Sequence, residues 1–195
     1  MSPEAHRRGR PRCEHTRANI LDATEALLDE GGPGAATMDA IAHRAGVSKA
    51  TVYRWWPSRG WVILESLVEL MERESAFVDT GSLAGDLRSQ VRALAKLLGT
   101  SSGSSIAAII AEMQTDPEIG QAFREAFLAR RRRSAKEMLA RAEARGELRT
   151  WLDPELVLDL LYAPLYLRLL LKHQPIDEAF VEQSLRLVLS GLQPD

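Results

Sequence analysis

A single cysteine, Cys13, stands among 195 residues, so no internal disulfide can form, and the chain reads as one suited to a reducing cytosol. Long apolar runs are lacking too. The most apolar stretch, "LLYAPLYLRLLL" from Leu160 to Leu171, falls short of the ~20 residues that span a bilayer and contains Arg168. It reads as a buried helix, and no membrane partner is expected. The opening "MSPEAHRRGRPRCEHTR" holds no apolar segment, so no secretory signal is expected and the expected location is cytoplasmic. Sustained period-two alternation is missing, so no sheet is expected. The histidines, His6, His15, His43 and His173, are scattered, and Cys13 with His15 makes a poor ligand pair. No metal and no cofactor are therefore expected. No Gly-rich phosphate loop follows a strand, and Ser101 to Ser105 form a polar linker with no base nearby in sequence. The chain is not expected to be an enzyme. Net charge is only -2, so any affinity for nucleic acid must come from local patches.

Charge is unevenly placed. Residues 1–60 carry nine Lys and Arg against seven Asp and Glu. Four of the nine, Arg7, Arg8, Arg10 and Arg12, lie among Pro and Gly before the first periodic segment. Residues 1–15 are expected to be a disordered basic arm, either a solubilising tail or an added contact surface.

The rest reads as all-α. Ile20, Leu21, Ala23, Thr24, Leu27 and Leu28 recur at helical spacing from about Thr16, and Gly31-Gly32-Pro33 stops the run. Thr37 can cap a short helix bearing Met38, Ile41, Ala42 and Ala45, which ends at Gly46. Ser48 can cap another that runs to about Trp56, where Pro57-Ser58 opens the next. Longer helices are predicted at about 58–78, 83–98, 104–115, 117–145, 154–172 and 177–192. Asp116, Asp153 and Asp177 sit where N-caps are needed, and Pro117 and Pro154 suit a first turn.

The stretch "GVSKATVYRWWPSRG" crowds aromatics and bases together. Two short helices joined by a tight turn at Ala45-Gly46-Val47, after a longer helix, make a helix-turn-helix, and Gly46 supplies the positive φ that the turn needs. On the second short helix, Val52 and Trp56 can face inward towards Ile41 and Ala45. Lys49 with Tyr53, and Ala50 with Arg54, then fall outward, where they can meet bases or phosphates.

Through "TRANILDATEALLDEGG", "ATMDAIAHRAGVSKATVYRWWPSR" and the long helix that follows, residues 16–65 resemble the TetR family of bacterial transcriptional regulators. Arg59 stands where that family usually has Lys, and Trp56 where Phe is more usual. The resemblance implies that Lys49, Ala50, Thr51, Tyr53 and Arg54 enter the major groove. Thr37, Trp55 and Arg59 would contact phosphates, with added contacts from the arm arginines. Thr37 and Ser48 serve as caps whether or not DNA is present, and Trp55 could merely cover the domain surface. Residues 16–60 are thus expected to read DNA.

Residues 61–195 are expected, by the same resemblance, to form an all-helical ligand-binding and dimerisation domain. "AEMQTDPEIGQAFREAF" and "LLYAPLYLRLLL" are similar to one carboxy-terminal subtype. Leu156, Leu160, Ala163, Leu167 and Leu170 form one apolar stripe, and Leu158, Leu161, Leu165 and Leu169 a second. Leu185, Val188, Leu189 and Leu192 form a third. The second and third are the expected homodimer interface, with ordinary intrachain packing as the alternative. A pocket for a small apolar or aromatic ligand is expected among Ile106, Ile109, Ile110, Met113, Phe123, Phe127, Tyr162 and Tyr166, although the same residues would also suit a core. Arg130 to Arg133 fan around a helix axis, about 100° apart, and so cannot line one groove; a solvated helix with acidic neighbours is expected. The partners implied are double-stranded operator DNA, a second copy of the chain and a small molecule that releases a repressor from a palindromic operator. The alternative is a regulator with a vestigial pocket, or an activator.

Overall fold

The computed structural model describes residues 10–193. Among them are α1 (Arg10–Ala35), α2 (Met38–Arg44), α3 (Lys49–Tyr53), α4 (Arg59–Glu74), α5 (Leu83–Leu98) and α6 (Ser101–Glu112). Then come α7 (Pro117–Ala122), a π-helical segment (Phe123–Leu128), α8 (Ala129–Ala144), α9 (Pro154–Leu171) and α10 (Glu178–Leu192). No strand occurs among the described residues, so the fold is all-α. No single helix among them is long and apolar enough to cross a membrane.

Local chemistry sets most boundaries. The Thr37 hydroxyl accepts the Ala40 N–H at 3.1 Å, and the Ser48 hydroxyl accepts the Thr51 N–H at 3.2 Å. Asp116, Asp153 and Asp177 cap α7, α9 and α10 as expected. At the end of α2, Gly46 takes φ 67°. Val47 N–H then reaches the Ala42 carbonyl at 3.0 Å and Gly46 N–H the His43 carbonyl at 3.2 Å, which is a Schellman turn. An L side chain at Gly46 would be strained in that conformation.

Several boundaries differ from the sequence reading; α3 ends at Tyr53 rather than near Trp56, and α4 at Glu74 rather than 78. Helix α1 begins at Arg10, before the expected start near Thr16, so residues 10–15 are helical rather than part of an irregular arm. Arg7 and Arg8 lie outside the described residues. Helix α6 begins at Ser101 rather than 104, so the serine stretch is no linker. Its short side chains let α6 lie close along α1: Ser102 and Ser105 are buried, and Ser101 donates to Asp29 at 2.8 Å. The helix expected over 117–145 is continuous but widens into the π-helical segment at Phe123–Leu128.

One buried cluster runs through the molecule, from Ile20, Ile41, Val52 and Trp56 in the first helices to Leu185 and Leu192 in the last. Helix α1 is the spine that unites it, because it packs on α2, α4 and α6 at once. Thr24 sits on its buried face without loss, since its hydroxyl donates to the Ile20 carbonyl at 2.8 Å. Helix α9 is only half-buried, contrary to the expectation for its apolar sequence. Val157, Leu158, Leu161, Leu165 and Leu169 point inward, whereas Leu156, Leu160, Leu167 and Leu171 are exposed.

Candidate DNA-reading face and ligand cavity

Helix α3 is short, and its two faces divide cleanly. Val52 is fully buried and Trp56, just beyond its end, is 2% exposed, with its indole N–H donating to Glu65 on α4. Lys49, Ala50, Tyr53 and Arg54 are exposed on the other side, together with Thr37, Ser48 and Trp55. Trp55 tilts against Trp56, with ring centroids 6.2 Å apart. Thr51 is partly buried and its hydroxyl is 2.9 Å from that of Ser48, so both belong first to the helix start. Lys49 is held by Asp39 at 3.0 Å, an exposed pair in which the hydrogen bond to the carboxylate raises the ammonium pKa. Arg54 has no ion pair among the described residues. The arrangement offers an exposed face with two cations, Lys49 and Arg54, and two aromatics, Tyr53 and Trp55, beside the small Ala50.

Arg59 is placed differently from the expectation of a phosphate contact. It opens α4, partly buried, and its guanidinium donates to the Pro33 carbonyl at 2.9 Å and to the carboxylate of Glu112 at the end of α6. Beside it, Gly60 is buried against α7: a Cβ there would stand 2.9 Å from Ile119 Cγ1. The first turn of α4 is therefore clamped between the C-terminal end of α1, α6 and α7. Sequence spacing offers no sign of such a clamp, because Arg59 and Glu112 lie 53 positions apart.

A cavity of about 510 Å³ opens among α4, α5, α6, the π-helical segment, α8 and α9. Of the eight residues expected to line it, Ile110, Met113, Phe123, Phe127, Tyr162 and Tyr166 do so. Ile106 and Ile109 do not; they are 1% and 0% exposed and belong to the core behind it. Phe123 and Phe127, four positions apart in the π-helical segment, stack with centroids 5.0 Å apart against the cavity. The Tyr162 hydroxyl donates to Gln90 Oε1 at 2.9 Å. Burial pushes both tyrosines up, Tyr166 to about 12, so each hydroxyl keeps its proton at neutral pH.

The sequence reading missed Arg131 as part of this wall. The run Arg130 to Arg133 is not uniformly solvated. Arg130 pairs with Glu72 at 2.7 Å, Arg132 pairs with Glu155 and Asp159, and Arg133 is exposed. Arg131 instead turns inward and lines the cavity. Its guanidinium reaches the Ser75 carbonyl at 3.1 Å and lies 4.5 Å from the centre of the Phe77 ring. Burial lowers its pKa, yet an arginine stays charged throughout the physiological range.

The expected interface residues are a further correction. Leu158, Leu161, Leu165, Leu169, Leu185, Leu189 and Leu192 are all buried within the chain, and Val188 is partly buried. They join α9 and α10 to the rest of the molecule and, Val188 apart, leave little surface for a second copy. The exposed apolar surface of these helices is Leu156, Leu160, Leu167, Leu171 and Leu187.

Both parts of the chain have counterparts among known proteins. Residues 20–65 match the model for bacterial regulatory proteins of the tetR family, and residues 77–188 match a tetracyclin repressor-like C-terminal domain. The HTH-type transcriptional regulator YdeS of Bacillus subtilis is 37% identical over 187 residues, covering 96% of this chain and 94% of the relative. The HTH-type transcriptional repressor KstR of Mycolicibacterium smegmatis is 42% identical over 69 residues, covering 35% of this chain and 34% of its own. The crystal structure of the TetR family transcription regulator SCO0332 superimposes with a TM-score of 0.84 at 35% identity, covering 92% of this chain and all of that one.

Proposed function

Since the chain belongs to the TetR family of DNA-binding transcriptional regulators, we propose that it is a cytoplasmic repressor released from a palindromic operator when a small molecule fills its cavity. Lys49, Tyr53 and Arg54 are the groups best placed to read or grip the major groove, with Ala50 allowing close approach. Thr37 and Trp55 flank them at the phosphates.

The observation that carries this reading is that a single helix serves both ends. Helix α6 contributes Ile110 to the cavity wall, Met113 follows its end there, and Glu112 between them holds Arg59 at the first turn of α4. The reading helix is joined to that turn by only a few residues, Arg54 to Ser58. A ligand that shifts the end of α6 therefore moves α4 and tilts the reading head. An open volume of about 510 Å³ speaks against a vestigial pocket filled by its own side chains.

The dimer proposed here uses the outward face of α9 and α10, centred on Leu160, Leu167 and Leu187. These large apolar groups are 58%, 52% and 76% exposed on two helices that pack on each other, and exposed apolar surface of this kind suits association. Two copies related by a twofold axis would place their reading heads about one helical turn of DNA apart, ~34–36 Å, or a multiple of that. Selection of bound fragments from random DNA tests this reading. It should return a palindrome; the absence of any enriched sequence would overturn it.

A further inference from the structure

We propose that the cavity takes a monoanionic amphipath, an apolar or aromatic body ending in one carboxylate, with the carboxylate seated on Arg131. The proposal rests on the ligand-responsive reading above and specifies the chemistry of the same cavity.

The charge balance of the wall is the first argument. Its charged residues are Arg131, Arg132 and Asp159. Arg132 and Asp159 are paired with each other, and Arg132 also meets Glu155. Arg131 is left as an excess positive charge. Its acceptors are all neutral: the Ser75 carbonyl at 3.1 Å, the Ser75 hydroxyl at 3.4 Å and the Met71 carbonyl at 3.5 Å. No carboxylate of the described residues forms an ion pair with it. Glu72, already engaged by Arg130, acts on Arg131 only at a distance. A largely buried guanidinium without a directly paired carboxylate is costly, and its outward neighbours show what the same side chain does when carboxylates are within contact.

The second argument is the company that Arg131 keeps. Its charge acts on both Tyr162 and Tyr166, so the two hydroxyls lie in its field. Tyr162 donates to Gln90, and the Gln90 amide reaches the Ser75 hydroxyl at 3.5 Å, which leaves that network internally satisfied. The Tyr166 hydroxyl has no hydrogen-bond partner among the described residues, and it holds its proton. A guanidinium and a free phenol donor in the wall of one cavity suit an oxyanion, which accepts only. The remaining wall, including Leu94, Ile110, Met113, Phe123 and Phe127, is apolar and suits the body of such a ligand. The volume of about 510 Å³ falls in the range of small-molecule sites, roughly 300–1,000 Å³. A cationic ligand is disfavoured by the same charge, and a neutral one leaves it uncompensated.

The test uses the full-length protein without DNA and a set of matched probes. These are straight-chain carboxylates from octanoate to tetradecanoate and 2-naphthoate, each beside its primary alcohol. Thermal shift and calorimetric titration should show at least one carboxylate binding about tenfold or more tightly than its alcohol, the scale of one charge-assisted hydrogen-bonded contact. Arg131→Gln should abolish that preference and leave anion and alcohol alike, whereas Arg133→Gln, at an exposed arginine outside the cavity wall, should keep it. Alcohols equal to or better than their carboxylates on the wild-type protein would overturn the proposal, whatever the variants do. Failure of every carboxylate to bind would overturn it as well, as would a preference that survives in a folded Arg131→Gln protein. A carboxylate that binds through Arg131 but leaves operator affinity unchanged would uphold the proposal and defeat the release mechanism instead.

Discussion

Arg59, the first residue of α4, donates to Glu112, the last residue of α6, and so ties the entrance of the DNA-reading unit to the helix that walls the cavity. Both side chains are about one-third exposed or less, so the pair alone adds little stability, about 0–1 kcal/mol. Its importance in this account is positional. Glu112→Gln should leave ligand affinity within a few-fold while shrinking the effect of ligand on operator affinity. Parallel titrations of ligand and operator check this, and an undiminished ligand effect in the variant would remove Glu112 from the route.

The reading face gives a second prediction. Tyr53→Ala should cost ~1–3 kcal/mol of specific binding, while binding to unrelated DNA changes much less. Arg54→Ala should lower the slope of affinity against salt by about one unit, a slope that Tyr53→Ala leaves unchanged. Fluorescence anisotropy across a salt series separates the two behaviours.

Helices α9 and α10 give a third. Leu160→Glu or Leu187→Glu should yield a folded monomer, because both side chains are exposed in the single chain. Leu161→Glu, at 3% exposure, should instead unfold the protein, since it buries an unpaired charge. Sedimentation together with circular dichroism distinguishes a folded monomer from an unfolded chain. A folded dimer in both exposed-site variants would contradict the assigned face.

A fourth prediction concerns acid stability. Asp86 on α5 is fully buried, which opposes its charge, but hydrogen bonds from Thr80 at 2.6 and 2.7 Å and from Arg145 at 3.3 Å outweigh that. Its pKa is therefore held below the ordinary 3.8. A carboxylate depressed in the folded state contributes stability that is present above its unfolded pKa and lost as pH falls through the folded value. Asp86→Asn should destabilise the protein by about 1–3 kcal/mol at neutral pH and flatten the acid limb of the stability profile. Urea melts at neutral and acid pH measure both.

Much of this was legible in the residues themselves. Helix α5 runs over the predicted span because Ser82 caps one end and Gly99 follows the other. The split of α3 into a Val52 side and a Tyr53 side followed from helical spacing. What could not be read was direction. Helix α9 is apolar on two sides, and periodicity marks both stripes without saying which one the rest of the chain covers. The same limit applied to Arg130 through Arg133. The fan that keeps four consecutive arginines from lining one groove also turns one of them inward, and only the packed neighbours show that it is Arg131. The Arg59–Glu112 tie joins residues 53 positions apart and has no local signal.

The proposed linkage of cavity and operator runs through α6 and α4. It is tested most directly by measuring operator affinity with and without a small molecule that saturates the cavity, and ligand affinity with and without operator. Linkage requires the two factors to be equal, and a coupling of ~1–3 kcal/mol would appear as about a 5–150-fold weakening in each direction. A ligand that fills the cavity and leaves operator affinity unchanged would contradict the account.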